Sequence, residues 1–216
     1  MSDPSLARAA LQSWDAHAAA WDASVGLDGN LYWKALQEPC LGRLLGDRLA
    51  TVPSCRALEL STGNGIGARR LAAAGAQVTA TDGSEGMLEG ARGDAGGRIG
   101  FEKLDVTDDA DFAPFVERAA ANGGFDVVLM NMSMHDVATL EPLAKHLPQL
   151  LTKDGMFVAQ LLHPVFMTST YSKSLDLSFD PVTGERVIVR GKLIKEYLSV
   201  KPFGLTLDAT HSAPLV

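Results

Sequence analysis

Between residues 56 and 161, strand-like and helix-like stretches alternate, and nothing else in the chain limits its possible folds as tightly. Five short β-type runs, Ala57–Leu60, Val78–Thr81, Ile99–Leu104, Phe125–Met130 and Met156–Leu161, are separated by helical periodicity at 66–74, 84–92, 108–121 and 137–151. Strands joined through helices of this length make right-handed crossovers and lie parallel in one sheet. Several of the runs are apolar throughout, the pattern of a sheet covered by helices on both faces. The expectation is a doubly wound α/β fold with its ligand crevice outside the carboxyl ends of the strands.

The flanks read differently. Residues 2–22 form an amphipathic helix capped by Ser2 or Asp3, with Pro4 in its first turn and Leu6, Ala10, Trp14, Ala18 and Trp21 on one side. "GLDGN" breaks it, and a second helix over 31–50 is entered or kinked at Pro39. After Leu161 the alternation stops. Leu175–Phe179 and Arg186–Val189 surround "DPVTG" and read as a hairpin, a flap over a site rather than another parallel strand. The expected organisation is an N-terminal helical cap (1–55), a ligand-binding core (56–164), and a flap with the remainder of the same domain (165–216).

Composition removes several function classes. A formal net charge of −7 argues against a nucleic-acid partner, whose affinity rests on Lys and Arg neutralising phosphates. No run approaches the roughly 18 apolar residues that span a bilayer. The first residues lack the basic start and apolar core of a signal peptide. Cys40 and Cys55 have no metal-ligand spacing and read as reduced thiols, so no metal is expected and the cytoplasm is the expected compartment.

The loop after the first strand, "ELSTGNGIGA", carries Gly63, Gly65 and Gly67, where backbone N–H groups and a helix N-terminus can face a ligand. Gly63-x-Gly65-x-x-Ala68 also satisfies the dinucleotide fingerprint, so NAD competes for it. The neighbouring acids shift the balance. Glu59 ends the first strand, where it disfavours a pyrophosphate and suits a ligand with an ammonium group. Asp82 ends the second strand, placed to accept both hydroxyls of a ribose. Asp105 ends the third, where its side chain and the Val106 backbone can meet an adenine edge.

As an ordered set these motifs resemble the class I S-adenosylmethionine-dependent methyltransferases, in their small-molecule branch. The family's acid-x-Gly-x-Gly-x-Gly appears as "ELSTGNG", with Ser61 in place of the first glycine. "TATDGSEGM", "FEKLDVTD", "FDVVLMNMSMHD" and "LPQLLTKDGMFVAQLLHPVF" follow as its later blocks. "NMSM" lacks the prolines of the (Asn/Asp)-Pro-Pro-aromatic stretch found in relatives that methylate nucleic-acid bases. The resemblance covers about residues 14 to 166. It implies a Rossmann-like core that binds S-adenosylmethionine through Trp21, Glu59, Ser61, Gly63, Gly65, Asp82, Gly83, Met87, Asp105, Val106, Asn131 and Met132. It also implies that the sheet normally gains two more strands. Here one strand, near Leu205–Leu207, precedes the last residue, so the expectation is a longer polypeptide or an edge covered by another subunit; a monomer or a homodimer remains open.

Methyl transfer needs alignment of the two reactants, and a base only when the nucleophile must lose a proton. His135 is the candidate base, with a helix cap as its alternative role. His17, His163, Trp14, Tyr32, Trp33, Phe166 and Tyr171 are candidates for contact with a small, aromatic or apolar substrate. Core packing is the alternative for Trp14 and Trp21, seven residues apart on one helix. Two other functions stay open: an NAD-dependent oxidoreductase, and a cofactor-binding protein that transfers no methyl group.

Overall fold

A computed structural model describes residues 4–93, 97–163, 171–194, 203–208 and 211–215. The chain divides into two compact units, Met1–Leu161 with Gly204–Val216, and Leu162–Phe203.

In the first unit, five parallel strands run in the order β3-β2-β1-β4-β5: β1 Arg56–Leu60, β2 Gln77–Asp82, β3 Ile99–Lys103, β4 Phe125–Asn131 and β5 Leu151–Gln160. The register sets Leu58 beside Thr79 and Val128, and Met130 beside Ala159. All of β1 beyond Arg56 is buried, as is most of β4, which explains their unbroken apolar runs. One core cluster gathers Leu41, Leu45, Ala68, Leu71 and Val127 on one side of the sheet; another gathers Leu60, Leu104, Phe112, Phe115 and Met130 on the other.

The helices are α1 Pro4–Val25, α2 Glu38–Thr51, α3 Ile66–Ala73, α4 Glu85–Arg92, α5 Ala113–Asn122 and α6 Glu141–Leu150. Two of these and one strand depart most from the sequence expectation. The second expected helix is split, because residues Trp33–Gln37 form a wide π turn in which the Glu38 N–H reaches back to the Trp33 carbonyl. Pro39 then sits in the first turn of α2, where its missing donor is harmless. The helix expected over 137–151 starts only at Glu141, with Pro142 in its first turn. β5 begins five residues early and absorbs Thr152–Gly155, with a register shift between Phe125 and Val127 on its neighbour.

The hairpin of the second unit pairs β6 Tyr171–Phe179 with β7 Arg186–Ile194 in antiparallel register, closed over Asp180–Glu185. It is longer at both outer ends than the expected runs. β8 Phe203–Asp208 contains the expected strand at 205–207 and pairs with β9 His211–Leu215, for which no sequence signal was recognised.

Candidate active site

The strand order reverses between β1 and β4, so the crevice opens where the segments leaving these two strands diverge. Both segments carry a non-glycine residue in the left-handed region there, Ser61 at φ 53° and Met132 at φ 56°. Such conformations cost about 1–3 kcal/mol and concentrate at ligand sites. Ser61 therefore keeps the loop shape that a glycine would give, at the expense of strain. Gly63 and Gly65 follow at φ 57° and 80°.

The loop is held from beneath and from above. Beneath it, the Glu59 carboxylate accepts the Thr62 hydroxyl and the Ala68 N–H. A Cβ on Gly67 would collide with Glu59 Oε1. Burial drives the Glu59 carboxyl up to about 7, against the opposing pull of these hydrogen bonds. At 2% exposure Glu59 fastens β1 to the first turn of α3. From above, the Asn64 side chain donates to Asp22 Oδ1 (3.2 Å) and to the Gly26 carbonyl (3.3 Å), tying the loop to the end of α1.

Asp82 ends β2 as expected. Its Oδ2 accepts the Gly63 N–H at 2.9 Å and its Oδ1 the Ser84 N–H at 2.9 Å. Burial raises its pKa to about 6, a rise the two N–H donors oppose and nearby Asp15 assists. Asp105, after β3, uses Oδ1 to accept the Thr107 N–H (2.8 Å) and hydroxyl (2.7 Å), and its own N–H donates to Asp111. The Val106 side chain lies in the core, which leaves its backbone for a ligand. Met87 is buried on α4, whose N-cap is Ser84.

Helix α1 crosses this end of the sheet. Asp15 Oδ1 accepts the Ser84 hydroxyl (2.5 Å) and the Gly86 N–H (3.1 Å). A Cβ on Gly83 would come within 2.7 Å of Leu11 Cδ2, and one on Gly63 within 3.6 Å of Trp21 Nε1. Trp14 and Trp21 meet edge to face at 5.5 Å, so packing and cover over the loop are one arrangement. His17 is held by its own helix, Nδ1 lying 2.6 Å from the Ser13 carbonyl. Sequence reasoning missed Asp15, Asp22, Asn64 and Leu11. The two Trp-Asp pairs seven residues apart were the available signal, since they put carboxylates on the edge of an apolar helix face.

At the ends of β4 and β5, Asn131 Nδ2 donates to Gln37 Oε1 (3.1 Å), Gln160 Nε2 to the Gln37 carbonyl (3.2 Å), and the Met132 N–H to the Gln160 carbonyl (2.7 Å). The π turn thus delivers Gln37 to the strand ends. His135 lies in a 3-10 turn, Met134–Asp136, apart from α6, so it caps no helix. Its Nε2 is 3.6 Å from Asp136 Oδ2. Burial lowers the His135 pKa and pushes Asp136 up to about 7. Asn131 Oδ1, Ser133 Oγ, His135 Nδ1, Asp136 Oδ1 and Gln160 Oε1 are buried there without a protein hydrogen-bond partner. Orphaned buried polar atoms need water or a ligand.

The remaining substrate candidates are scattered. Trp33, at 4% exposure, packs with Leu41 and Ala68 in the core, and its backbone N–H donates to Asn30 Oδ1. Tyr32 beside it is exposed. His163 is exposed and belongs to the second unit, and Tyr171 opens β6. Phe166 lies outside the described residues. A 770 Å³ groove lined by Arg56, Arg98 and Arg118 sits at the opposite, amino ends of the strands, so concavity alone points away from these carboxylates.

A family model described as a methyltransferase domain matches residues 58–157, which hold the glycine loop and all three strand-end acids. Among solved structures, the DhpI–SAH complex is similar at 20% identity, covering 87% of this chain and 80% of that one with a TM-score of 0.58. An S-adenosylmethionine-dependent methyltransferase from Mesorhizobium loti is similar at 24% identity, covering 88% and 77%, TM-score 0.51. One from Anabaena variabilis is similar at 17% identity, covering 88% and 94%, TM-score 0.57. No curated protein matches the sequence. The structural likenesses establish the shared fold, and the family match decides against the dinucleotide reading of the loop. Residues 58–157 are thus matched as a methyltransferase domain, in a chain whose fold is that of S-adenosylmethionine-dependent methyltransferases of known structure.

Proposed function

We propose that this enzyme transfers a methyl group from S-adenosylmethionine to a small molecule. The observation that carries the reading is the junction at the end of β2, where one carboxylate, Asp82, meets both the glycine loop and the N-terminus of α4. Asp82 would hold the ribose, Asp105 and the Val106 N–H the adenine, with Met87 against the ring. Ser61, Gly63 and Gly65 would approach the methionyl portion through their backbone. Asn131 fits its ammonium group, because Asn131 Oδ1 is a buried acceptor without a partner. When bound, the cofactor supplies an electrophilic methyl carbon on a sulfonium. Trp21 offers that cation a ring face, worth about 0.5–2 kcal/mol.

The acidic balance and the roof of Leu11, Trp14 and Trp21 favour a small, partly apolar acceptor over a nucleic acid. Among the described residues no helix is long and apolar enough to cross a membrane. Free Cys40 and Cys55 suit the cytoplasm. Two measurements test the reading. Calorimetric titration should show binding of S-adenosylhomocysteine and none of NADH; the reverse result refutes it. A mass-shift screen of metabolite extracts with labelled S-adenosylmethionine should then find a methylated product, and cofactor binding without any turnover would leave only a binding protein.

A further inference from the structure

Sequence reasoning put a single histidine at the end of β4 as the candidate base. The structure puts a pair there. We infer that Asp136 is a positioning residue for His135, and that together they take the proton from a methyl acceptor bearing an O–H or N–H group. The inference rests on the methyl-transfer reading above.

The geometry has three parts. Asp136 is brought back under the strand end by its own N–H, which donates to the Ser133 carbonyl at 2.9 Å. That turn points Asp136 Oδ2 at His135 Nε2, 3.6 Å away, with the two side chains 11% and 16% exposed. The opposite ring nitrogen, His135 Nδ1, is buried and unpartnered, as are Ser133 Oγ and Asp136 Oδ1. When ionised, the Asp136 carboxylate 3.6 Å from Nε2, longer than a direct hydrogen bond, favours by its charge the tautomer with the proton on Nε2 and leaves the Nδ1 lone pair for the substrate. Burial keeps the imidazole neutral, as a base must be, and the neighbouring carboxylate stabilises the imidazolium once formed. Beyond this pair, β9 also runs beside the turn and carries one titratable residue, His211.

The step balances. A lone pair of the acceptor oxygen or nitrogen forms the bond to the methyl carbon, the C–S electron pair returns to sulfur, and the acceptor's proton goes to His135 Nδ1. A thioether acceptor has no proton to lose and would need no such pair.

The test uses the full chain with labelled histidine rings and follows the His135 resonances by NMR from pH 5 to 9, with His135→Gln for assignment. The expected result is an Nε2-protonated neutral ring that senses a titration near 7 as the neighbouring Asp136 carboxyl ionises. In Asp136→Asn that upper step disappears and the ring titrates once, at lower pH. An Nδ1-protonated ring in the wild type, or an unchanged titration in Asp136→Asn, overturns the inference. Should Asp136→Asn fail to fold, the wild-type tautomer and upper step decide alone. Calorimetry with S-adenosylhomocysteine on the same wild-type sample judges the methyl-transfer reading separately, since the ring titration requires no cofactor.

Discussion

Asp82 shows how one side chain serves both the fold and the ligand. It already accepts N–H groups from Gly63 and Ser84, so it organises the crevice it lines. Asp82→Ala should lower S-adenosylhomocysteine affinity by roughly 10–150-fold, or about 1.5–3 kcal/mol, the worth of charge-assisted hydrogen bonds; an unchanged dissociation constant would remove Asp82 from the site. Ser61 is the converse case, a residue whose identity departs from the family motif while its backbone does not. Its φ of 53° suits glycine. Relief of about 1–2 kcal/mol of left-handed strain is partly offset by the entropy of an added glycine, about 0.5–1 kcal/mol. Ser61→Gly should therefore leave the melting temperature unchanged or raise it by a few degrees, and a clear drop would mean the hydroxyl holds the loop.

Helix α1 is the element on which the cover of the site depends. Its hold on α4 runs through Asp15, which accepts from Ser84 Oγ and the Gly86 N–H. Asp15→Ala leaves those two donors without an acceptor, and Ser84 is fully buried. Amide hydrogen exchange over α1 should speed up by roughly 10-fold or more, in line with about 1–3 kcal/mol for an unsatisfied buried group. Exchange as slow as in the wild type would show that the tryptophan packing alone docks the helix. On the other side of the loop, Gly67→Ala drives a methyl group into Glu59 Oε1 at the first turn of α3. It should cost stability and cofactor affinity together, since the same carboxylate spaces β1 from the loop; unchanged thermal melting and binding would show that Glu59 swings aside freely.

Across the whole molecule, burial has raised three carboxyls at the strand ends: Glu59 to about 7, Asp82 to about 6 and Asp136 to about 7. In the unfolded chain such groups titrate near 4. Between those values the folded state binds more protons than the unfolded state, so stability from these groups falls as pH rises from about 4 to 7. The melting temperature without ligand should drop across pH 5 to 7.5, and the drop should be smaller in Asp136→Asn, which cannot ionise there. Equal slopes in the two proteins would mean that Asp136 titrates normally. Cofactor affinity should run the other way, rising through pH 6 as Asp82 ionises and can accept hydroxyl hydrogen bonds.

By itself the sequence determined the parallel sheet, the order of its strands and helices, and the carboxylates Asp82 and Asp105 at the strand ends. Those features are written in local signals, namely apolar runs, glycines that open a helix, and acids closing strands, and a parallel sheet has few ways to connect them. The tertiary structure alone decided the rest. Gln37, Asp15 and Gln160 look like ordinary polar residues until a π turn, a helix crossing and a strand end bring them to the site from distant segments. The burial of Glu59 beneath the loop and of Trp33 in the core was likewise decided by tertiary packing, because which way a side chain faces depends on what packs against it. The pairing of His135 with Asp136 had no sequence signal either. Adjacent residues face apart in a regular helix or strand, and only the tight turn after β4 sets these two against each other.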